Sequence, residues 1–324
     1  MRTRIASALT VALILISGAI SQARAAYPDK PIHIVVPYTP GGTVDLLARG
    51  LAPYLTKAWG QQIVVENRPG AGGSVGAEYV AQAPGDGYTL LLSTNSPLTT
   101  NVALFKTLKY KPLEDFVPVI NAGSNSLVLA VNPKLPVKSV ADLIALAKKE
   151  PGNLISASSG NGATSHVSLT EFNKMAGVKI THVPYKGGVP SLTAVISGEA
   201  QLVFSDIVPA LPMLKDGRVR ALATTGIKRS GVTPNVPTLN ESGLKGFDVS
   251  VWVPMVAPKG TASDVVHKLN AEINKILKDP EFRDHLIKIG IDPTGGTPDE
   301  AAKYLREQIP LWRQRAIDAG LKVE

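Results

Sequence analysis

The residues best suited to chemistry in this sequence form a turn rich in glycine and hydroxyl groups. They are Tyr38, Thr39, Gly41, Gly42 and Thr43. A β-branched run at 32–36 predicts a buried strand before the turn, and apolar residues at helical spacing from Val44 to Leu55 predict a helix after it. The first N–H groups of a helix are unpaired and lie at the positive end of its dipole, so they attract an anion. A carboxylate could approach this glycine backbone without an arginine beneath it. The simpler alternative is that the glycines only make a tight turn.

A second turn repeats the order of strand, glycine turn and helix, which favours ligand binding over the simpler alternative. Its candidate residues are Ser158, Ser159, Asn161, Gly162 and Thr164. A predicted strand at 154–157 precedes it, and a helix with Val167, Phe172 and Met175 follows. His166 lies at the start of that helix, where it either contacts a ligand or caps and packs. A weaker third copy spans residues 180–198.

Three further polar residues follow predicted strands. Ser93 and Thr94 come after the apolar run 88–92, and Asp206 comes just after the strand predicted at 201–204. Ligands of open α/β sheets bind at the carboxyl ends of strands, so we expect these side chains near the ligand. Asp206 could accept a hydrogen bond from an amino, hydroxyl or water donor, but it would repel a ligand carboxylate that faced it. Asp45, in the first helix, is expected to support the first helical turn through the dipole.

The elements that must position these residues predict an α/β fold of two lobes. Strand and helix patterns alternate up to residue 115 and again from 139 to 225, which is typical of parallel sheets covered by helices. The long β-rich run 116–131 and the run 249–257 are predicted to cross between the lobes, with a ligand cleft between them. The expected division is 26–125 with 246–324 as domain 1, and 126–245 as domain 2.

Composition and the N-terminus indicate an exported, globular protein. Residues 1–25 carry Arg2 and Arg4, an apolar stretch and the small residues Ala23 and Ala25 around Arg24, as in a cleaved signal peptide. Loss of the three leader arginines lowers the formal charge of +8 to about +5. This mild excess forms no basic tract, so we expect no nucleic-acid partner. The sequence has no cysteine, so it has no disulfides, no thiol catalysis and no lipoprotein anchor.

Patterns for catalysis and cofactors are weak. Gly72 to Gly76 matches the G-x-S-x-G hydrolase motif around Ser74, but an intervening loop separates it from the nearest predicted strand. The five histidines lack zinc-site spacing, and no phosphate-binding glycine motif is complete. We therefore expect no catalytic residue, metal or cofactor.

Several stretches, in order, resemble the Bug-type extracytoplasmic solute receptors of tripartite tricarboxylate transporters. They are YPDKPIHIVVPYTPGGTVDLLAR, VVENRPGAGGSVGAEYVA, SSGNGATSHVSLTEF and THVPYKGGVPSLTAVISGEAQLVFSD, with PTLNESGLKGF and VWVPMVAPKGT further on. The resemblance implies a type II periplasmic-binding-protein fold that closes on one small ligand. It also implies that the two glycine turns hold a carboxylate through backbone N–H groups, hydroxyls and water, and that two membrane subunits are partners.

We therefore expect a periplasmic, unanchored and monomeric receptor from a Gram-negative bacterium. Its expected ligand is a small di- or tricarboxylate or an aromatic carboxylate. Two alternatives stay open at this stage. One is an exported serine hydrolase that uses Ser74, and the other is a ligand receptor for a sensory partner.

Overall fold

The computed structural model describes residues 27–105, 107–161, 163–185 and 187–320. The predicted signal peptide and Gly162 lie outside the described residues. Ten strands are described: β1 (Ile32–Val36), β2 (Ile63–Asn67), β3 (Thr89–Leu92), β4 (Phe116–Val131), β5 (Ile155–Ser158), β6 (Thr181–Pro184), β7 (Leu202–Asp206), β8 (Arg220–Thr224), β9 (Ser250–Pro258) and β10 (Asp292–Pro293).

The described α-helices include two of five residues or fewer. In chain order they are α1 (Thr43–Trp59), α2 (Ser74–Ala81), α3 (Thr100–Leu104), α4 (Pro112–Asp115), α5 (Val140–Lys149), α6 (Thr164–Ala176), α7 (Gly188–Ser197), α8 (Ile207–Lys215), α9 (Ser263–Lys278), α10 (Pro280–Lys288) and α11 (Pro298–Asp318). Short 3₁₀ turns cover Ala71–Gly73 and Ser96–Leu98.

The strands form two sheets that share β4. In the first sheet, β1 pairs in parallel with β2 and β3, and β9 pairs antiparallel with β3 and with β4 up to Ser126. In the second sheet, β5 pairs in parallel with β6 and β7, and β4 from Leu127 onward pairs antiparallel with β7 and β8. The two-lobed binding-protein fold predicted from the sequence is therefore confirmed, with β4 as the crossing strand.

Local sequence explains why the glycine turns stand where they do. The side chains of Leu47, Leu51 and Leu55 in α1 pack into the first-lobe core with the apolar residues of β1. Helix α1 then ends at Gly60, whose φ of 68° suits glycine. In the second lobe, Phe172 of α6 packs against Phe204 of β7, with ring centroids 6.0 Å apart. Each turn is thus held between a buried strand and a buried helix face.

The return to the first lobe differs in detail from the prediction. The N–H of Val249 donates to the carbonyl of Thr225 at 3.0 Å, and β9 then runs only in the first sheet. The predicted domain 1 includes residues 246–324, but Trp312 of α11 packs in the second-lobe core. Helix α11 therefore spans both lobes, because its apolar face continues beyond the boundary that turn patterns suggested. The exact domain limits stay a prediction.

Candidate functional site

The first glycine turn is fixed from within by Asp45. Its Oδ2 accepts hydrogen bonds from the N–H of Gly41 at 2.9 Å and from Arg49 Nε at 3.0 Å, and Oδ1 accepts from Asn67 Nδ2 at 2.9 Å. Burial alone would raise the pKa of Asp45, but these donors hold it below its usual value. The amide of Gly41 is therefore already used, and the first N–H groups of α1, from Thr43 onward, are the donors left for a ligand. Thr39, Gly41 and Gly42 are exposed in front of this helix.

Tyr38 joins this turn to the end of β3. Its hydroxyl lies 2.5 Å from Thr94 Oγ1 and 3.3 Å from Ser93 Oγ. Burial raises the pKa of Tyr38, so the hydroxyl stays protonated and can donate to one of these oxygens. The structure thus brings three sequence-predicted residues into one hydrogen-bonded group beside the first turn.

The second glycine turn is held by its own serines and by two histidines. Ser159 N–H donates to Ser165 Oγ at 3.0 Å, and Ser158 Oγ lies 2.5 Å from Nε2 of His182. His166 is buried and stacks on His182. Burial, and then the neighbouring His182, lower the pKa of His166 to about 4, so the ring is neutral at pH 7. Asn161 is exposed at the tip of the turn.

A cavity of about 210 Å³ lies next to the second turn and reaches Ser96 of the first lobe. It is lined by Ser96, Leu127, Ser159, Ala163, Thr164, Ser165, Gly188, Ser191, Phe204, Ser205 and Asp206. Three helices begin at its wall, namely α6 at Thr164, α7 at Gly188 and α8 directly after Asp206. Their unpaired N–H groups and positive dipole ends make the cavity attractive to an anion. Among the described lining residues, Asp206 is the one charged side chain.

The cavity contains part of the predicted site and adds residues to it. Three of the residues predicted to contact the ligand line it, namely Ser159, Thr164 and Asp206. The other described candidates, which lie in the first turn, at the end of β3 or deeper in the second turn, do not line it: Tyr38, Thr39, Gly41, Gly42, Thr43, Ser93, Thr94, Ser158, Asn161 and His166. The sequence analysis missed Ser96, Ser165, Ser191 and Ser205. The sequence does contain a signal for Gly188 and Ser191. The third glycine turn repeats the order of strand, glycine turn and helix found at the other two turns.

Two larger cavities lie elsewhere and contain none of the predicted residues. One of about 540 Å³ is formed on the second lobe around α8, and one of about 520 Å³ lies near the crossing strand and β10. Neither is lined by the first residue of a helix of eight or more residues in the described chain. The cavity of about 540 Å³ has Lys215 and Arg220 in its lining, but of the three cavities the smaller one is where the starts of long helices meet residues predicted from the sequence.

Ser74 does not lie in a nucleophile elbow. It begins α2 after a 3₁₀ turn, and β2 ends seven residues earlier, at Asn67. Its Oγ accepts from Asn101 Nδ2 at 2.8 Å and lies 3.4 Å from the Tyr110 hydroxyl. An amide and a phenol protonated at neutral pH cannot serve as the general base that a serine nucleophile needs.

The described residues lack a metal-binding cluster and a membrane-spanning helix. No group of three or more His, Cys, Asp or Glu side chains there could hold a metal ion. None of the helices in the described part of the chain combines the length and the apolar character needed to cross a membrane.

Fold and site together define a two-lobed solute-binding protein. Residues 47–320 match the family model described as TctC, the tripartite tricarboxylate transporter family receptor. The chain therefore belongs to this family. Similar solved structures are described as a periplasmic binding protein and a TctC solute-binding protein, so the protein is a receptor and not an enzyme. This rejects the hydrolase alternative and confirms the resemblance found in the sequence.

Individual relatives agree with this assignment. The chain is 37% identical to protein BugT of Bordetella pertussis (strain Tohama I) over 299 residues, which cover 92% of each chain. It is also 37% identical to R. palustris Rpa4515, solved with adipate, with a TM-score of 0.78 over 92% of this chain and 100% of that one. MatC from Rhodopseudomonas palustris, solved with bound malate, is 33% identical, with a TM-score of 0.72 over 89% of this chain and 99% of that one.

Proposed function

We propose that this protein is a periplasmic receptor that captures a small organic carboxylate between its lobes and delivers it to the membrane subunits of a tripartite tricarboxylate transporter. The observation that carries the proposal is the convergence of three helix N-termini on one cavity without a lysine or arginine among its described lining residues. A charge-assisted hydrogen bond is worth roughly 1.5–3 kcal/mol. A few such bonds suffice for micromolar binding, which corresponds to about −8 kcal/mol. The adipate and malate bound by two relatives support this ligand class.

Binding is tested with the mature chain, residues 26–324, against a panel of mono-, di- and tricarboxylates and aromatic acids. A ligand stabilises the folded state by RT ln(1 + [L]/Kd), so thermal unfolding identifies binders and calorimetry then measures Kd. We expect at least one acid to raise Tm and to bind with one-to-one stoichiometry. A panel without any stabilising acid would contradict the proposal.

The position of the site is tested at Gly188. Its φ is not in the left-handed region, and an added Cβ would meet only Asp206 Oδ2, at 3.7 Å. Gly188→Leu should therefore fold but fill the cavity, and it should weaken carboxylate binding at least tenfold. Thr193→Leu is the matched control, because Thr193 is exposed on the same helix.

The role of the first glycine turn is tested separately at Gly42. This residue has φ −76°, and its added Cβ would approach only the Thr39 carbonyl, at 3.8 Å. If the first N–H groups of α1 also hold the carboxylate, Gly42→Leu weakens binding and Gly42→Ala does so far less. Equal affinity of the wild type and Gly42→Leu would restrict the site to the second lobe and Ser96.

Export and delivery are tested in a Gram-negative host. N-terminal sequencing of the periplasmic protein should begin at Ala26, and light scattering should give the mass of a monomer. Deletion of the membrane subunits should abolish uptake of the identified acid. Unchanged uptake, with a lost transcriptional response to the acid in a receptor deletion, would instead favour the sensory role.

A further inference from the structure

The cavity of about 540 Å³ on the second lobe, which we call the β8 groove, is a feature that binding of a carboxylate between the lobes does not use. Residues from the segments 211–221 and 232–236, together with Pro133, line it. Most of the lining side chains are apolar, and they include Leu211, Leu214, Val219, Ala221, Val232 and Val236. Several of them are only half-buried against the core of this lobe, so part of their apolar surface stays accessible.

Cations surround these apolar side chains. Lys215 and Arg220 line the groove, and Arg218 is exposed between them in the chain. Arg220 Nη1 donates to the Val137 carbonyl at 2.9 Å, which holds the loop 133–138 against the groove. This loop adds two exposed lysines to the same region of the surface.

The charge around the groove is not balanced by acids. The segments 133–142 and 211–221 contain five Lys or Arg residues and two Asp residues, which leaves a net charge of +3. One of these acids, Asp142, accepts from the N–H of Lys138 at 2.9 Å at the start of α5. Within the described residues, none of the five cations forms an ion pair. The negative end of the α8 dipole, beside Lys215, offsets only about half a charge.

The β8 groove lies away from the candidate ligand site. Arg220 of the groove pairs with Val131 of β4, whereas Leu127, which lines the smaller cavity, pairs with Asp206. The four-residue step along β4 between these two positions corresponds to about 13 Å of extended strand. A partner seated in the groove would therefore leave the smaller cavity uncovered.

We propose that the β8 groove docks a segment of the membrane subunits in which apolar residues are flanked by Asp or Glu. This inference rests on the proposed function and names the surface through which the receptor meets its partner. The apolar side chains of the segment fill the groove, and its carboxylates face the surrounding cations. An anionic lipid surface would face the same cations, but it is too flat to enter the groove and would leave the apolar lining uncovered.

The test measures binding of the mature receptor to its membrane subunits in nanodiscs of neutral lipid, in the presence of the acid that thermal unfolding identifies. Lys215→Glu combined with Arg218→Glu should weaken this binding about tenfold or more and reduce uptake, because both charges that attract the segment are reversed. Calorimetry should show unchanged affinity for the acid. The matched control is Lys148→Glu with Lys149→Glu, which reverses two exposed charges in the last turn of α5 in the same lobe and should bind like the wild type.

Photo-crosslinking identifies the docked segment. The amino acid p-benzoylphenylalanine at Asn235, an exposed residue of the groove, should crosslink to a membrane subunit, and at Lys148 it should not. Mass spectrometry should place the crosslink in a segment with Asp or Glu beside apolar residues. A crosslink to a basic or uncharged segment, or none at Asn235, would overturn the inference.

Failure of this inference differs from failure of the proposed function. If the receptor binds no acid, or uptake does not need the membrane subunits, the receptor proposal is contradicted and the inference with it. If acid binding and uptake are intact but the groove variant docks as tightly as the α5 control, only the docking inference is overturned. Equally tight, charge-dependent binding to empty nanodiscs that contain phosphatidylglycerol would assign the cations to lipid binding and would also overturn it.

Discussion

The imidazole rings of His166 and His182 stack face to face, with centroids 3.7 Å apart and planes inclined by 5°. Through the contact between Nε2 of His182 and Ser158 Oγ, this pair supports the turn that leads into α6. Stacking at this distance suits neutral rings, because two imidazolium ions would repel each other. Burial accordingly lowers the pKa of both residues.

This pair should make the protein sensitive to acid. The folded-state pKa of His166, about 4, is below the value of about 6.5 in the unfolded chain, so the unfolded chain binds the proton first. The stabilisation is complete above pH 6.5 and is lost as the pH falls from there to about 4, by at most roughly 3 kcal/mol. His166→Phe keeps a ring against His182 but cannot titrate. Its unfolding free energy, measured by denaturant titration, should decline less steeply over this range.

The exposed His267 provides the comparison for that experiment. His267→Phe should retain the wild-type slope of stability against pH, whatever its absolute stability. Equal slopes in His166→Phe and the wild type would contradict the assignment of acid sensitivity to the stacked pair.

A contact between the two lobes lies near the start of α8. Gly290, after α10 in the first lobe, has φ +83°, and a Cβ added there would lie 2.2 Å from Cγ2 of Val208 in the second lobe. Gly290→Ala should therefore both strain the backbone and push the lobes apart. We expect lower stability and a larger radius of gyration by small-angle scattering.

A double variant separates these two effects. Val208→Ala removes the clashing methyl group, so Gly290→Ala combined with it should regain the wild-type radius of gyration. The backbone penalty for alanine at positive φ, roughly 1 kcal/mol, should remain. An enlarged radius in the double variant would show that the clash does not control the lobe spacing.

Arg315 of α11 should contribute strongly to stability although its charge is buried. It is 6% exposed, donates to the Asp248 carbonyl at 2.5 Å and lies 3.9 Å from Glu171. Burial lowers its pKa, but a guanidinium stays charged at neutral pH. Arg315→Met leaves these partners unpaired and should cost about 2–4 kcal/mol of unfolding free energy.

Lys303 is the matched position on the same helix. Its ion pair with Glu307 is long, at 4.0 Å, and exposed, so Lys303→Met should cost less than about 0.5 kcal/mol. Similar losses of unfolding free energy in Arg315→Met and Lys303→Met would mean that burial does not determine how much each cation contributes to stability.

The sequence predicted best those features that depend on neighbouring residues. Strand β1 has the predicted bounds, and the single long strand from Phe116 to Val131 crosses between the lobes as expected. Thr297 and Glu300 form a capping box at the start of α11, which the spacing T-x-x-E in the sequence indicates. In each case the signal is a local run of side-chain types, and local backbone preference is sufficient to decide the structure.

Features that depend on distant residues could not be predicted. The Gly41 N–H looked available to a ligand, but Asp45, which Asn67 also holds in place, accepts from it. Asp45 is predicted to support the first helical turn through the dipole, and the structure adds these hydrogen bonds to that role. The position of Trp312 in the second-lobe core likewise depends on packing between elements far apart in the chain. Such contacts follow from the arrangement of whole elements, which no short pattern contains.

The shared strand β4 has a consequence for how the protein can be divided. Residues 116–126 bond to β9, whereas residues 127–131 bond to β7 and β8 on both edges. A fragment cut anywhere along β4 would expose a row of unpaired N–H and C=O groups. Such an edge can pair with the strands of other chains and so promotes aggregation. Neither half is therefore a self-sufficient module, and the protein should melt in one cooperative transition instead of two.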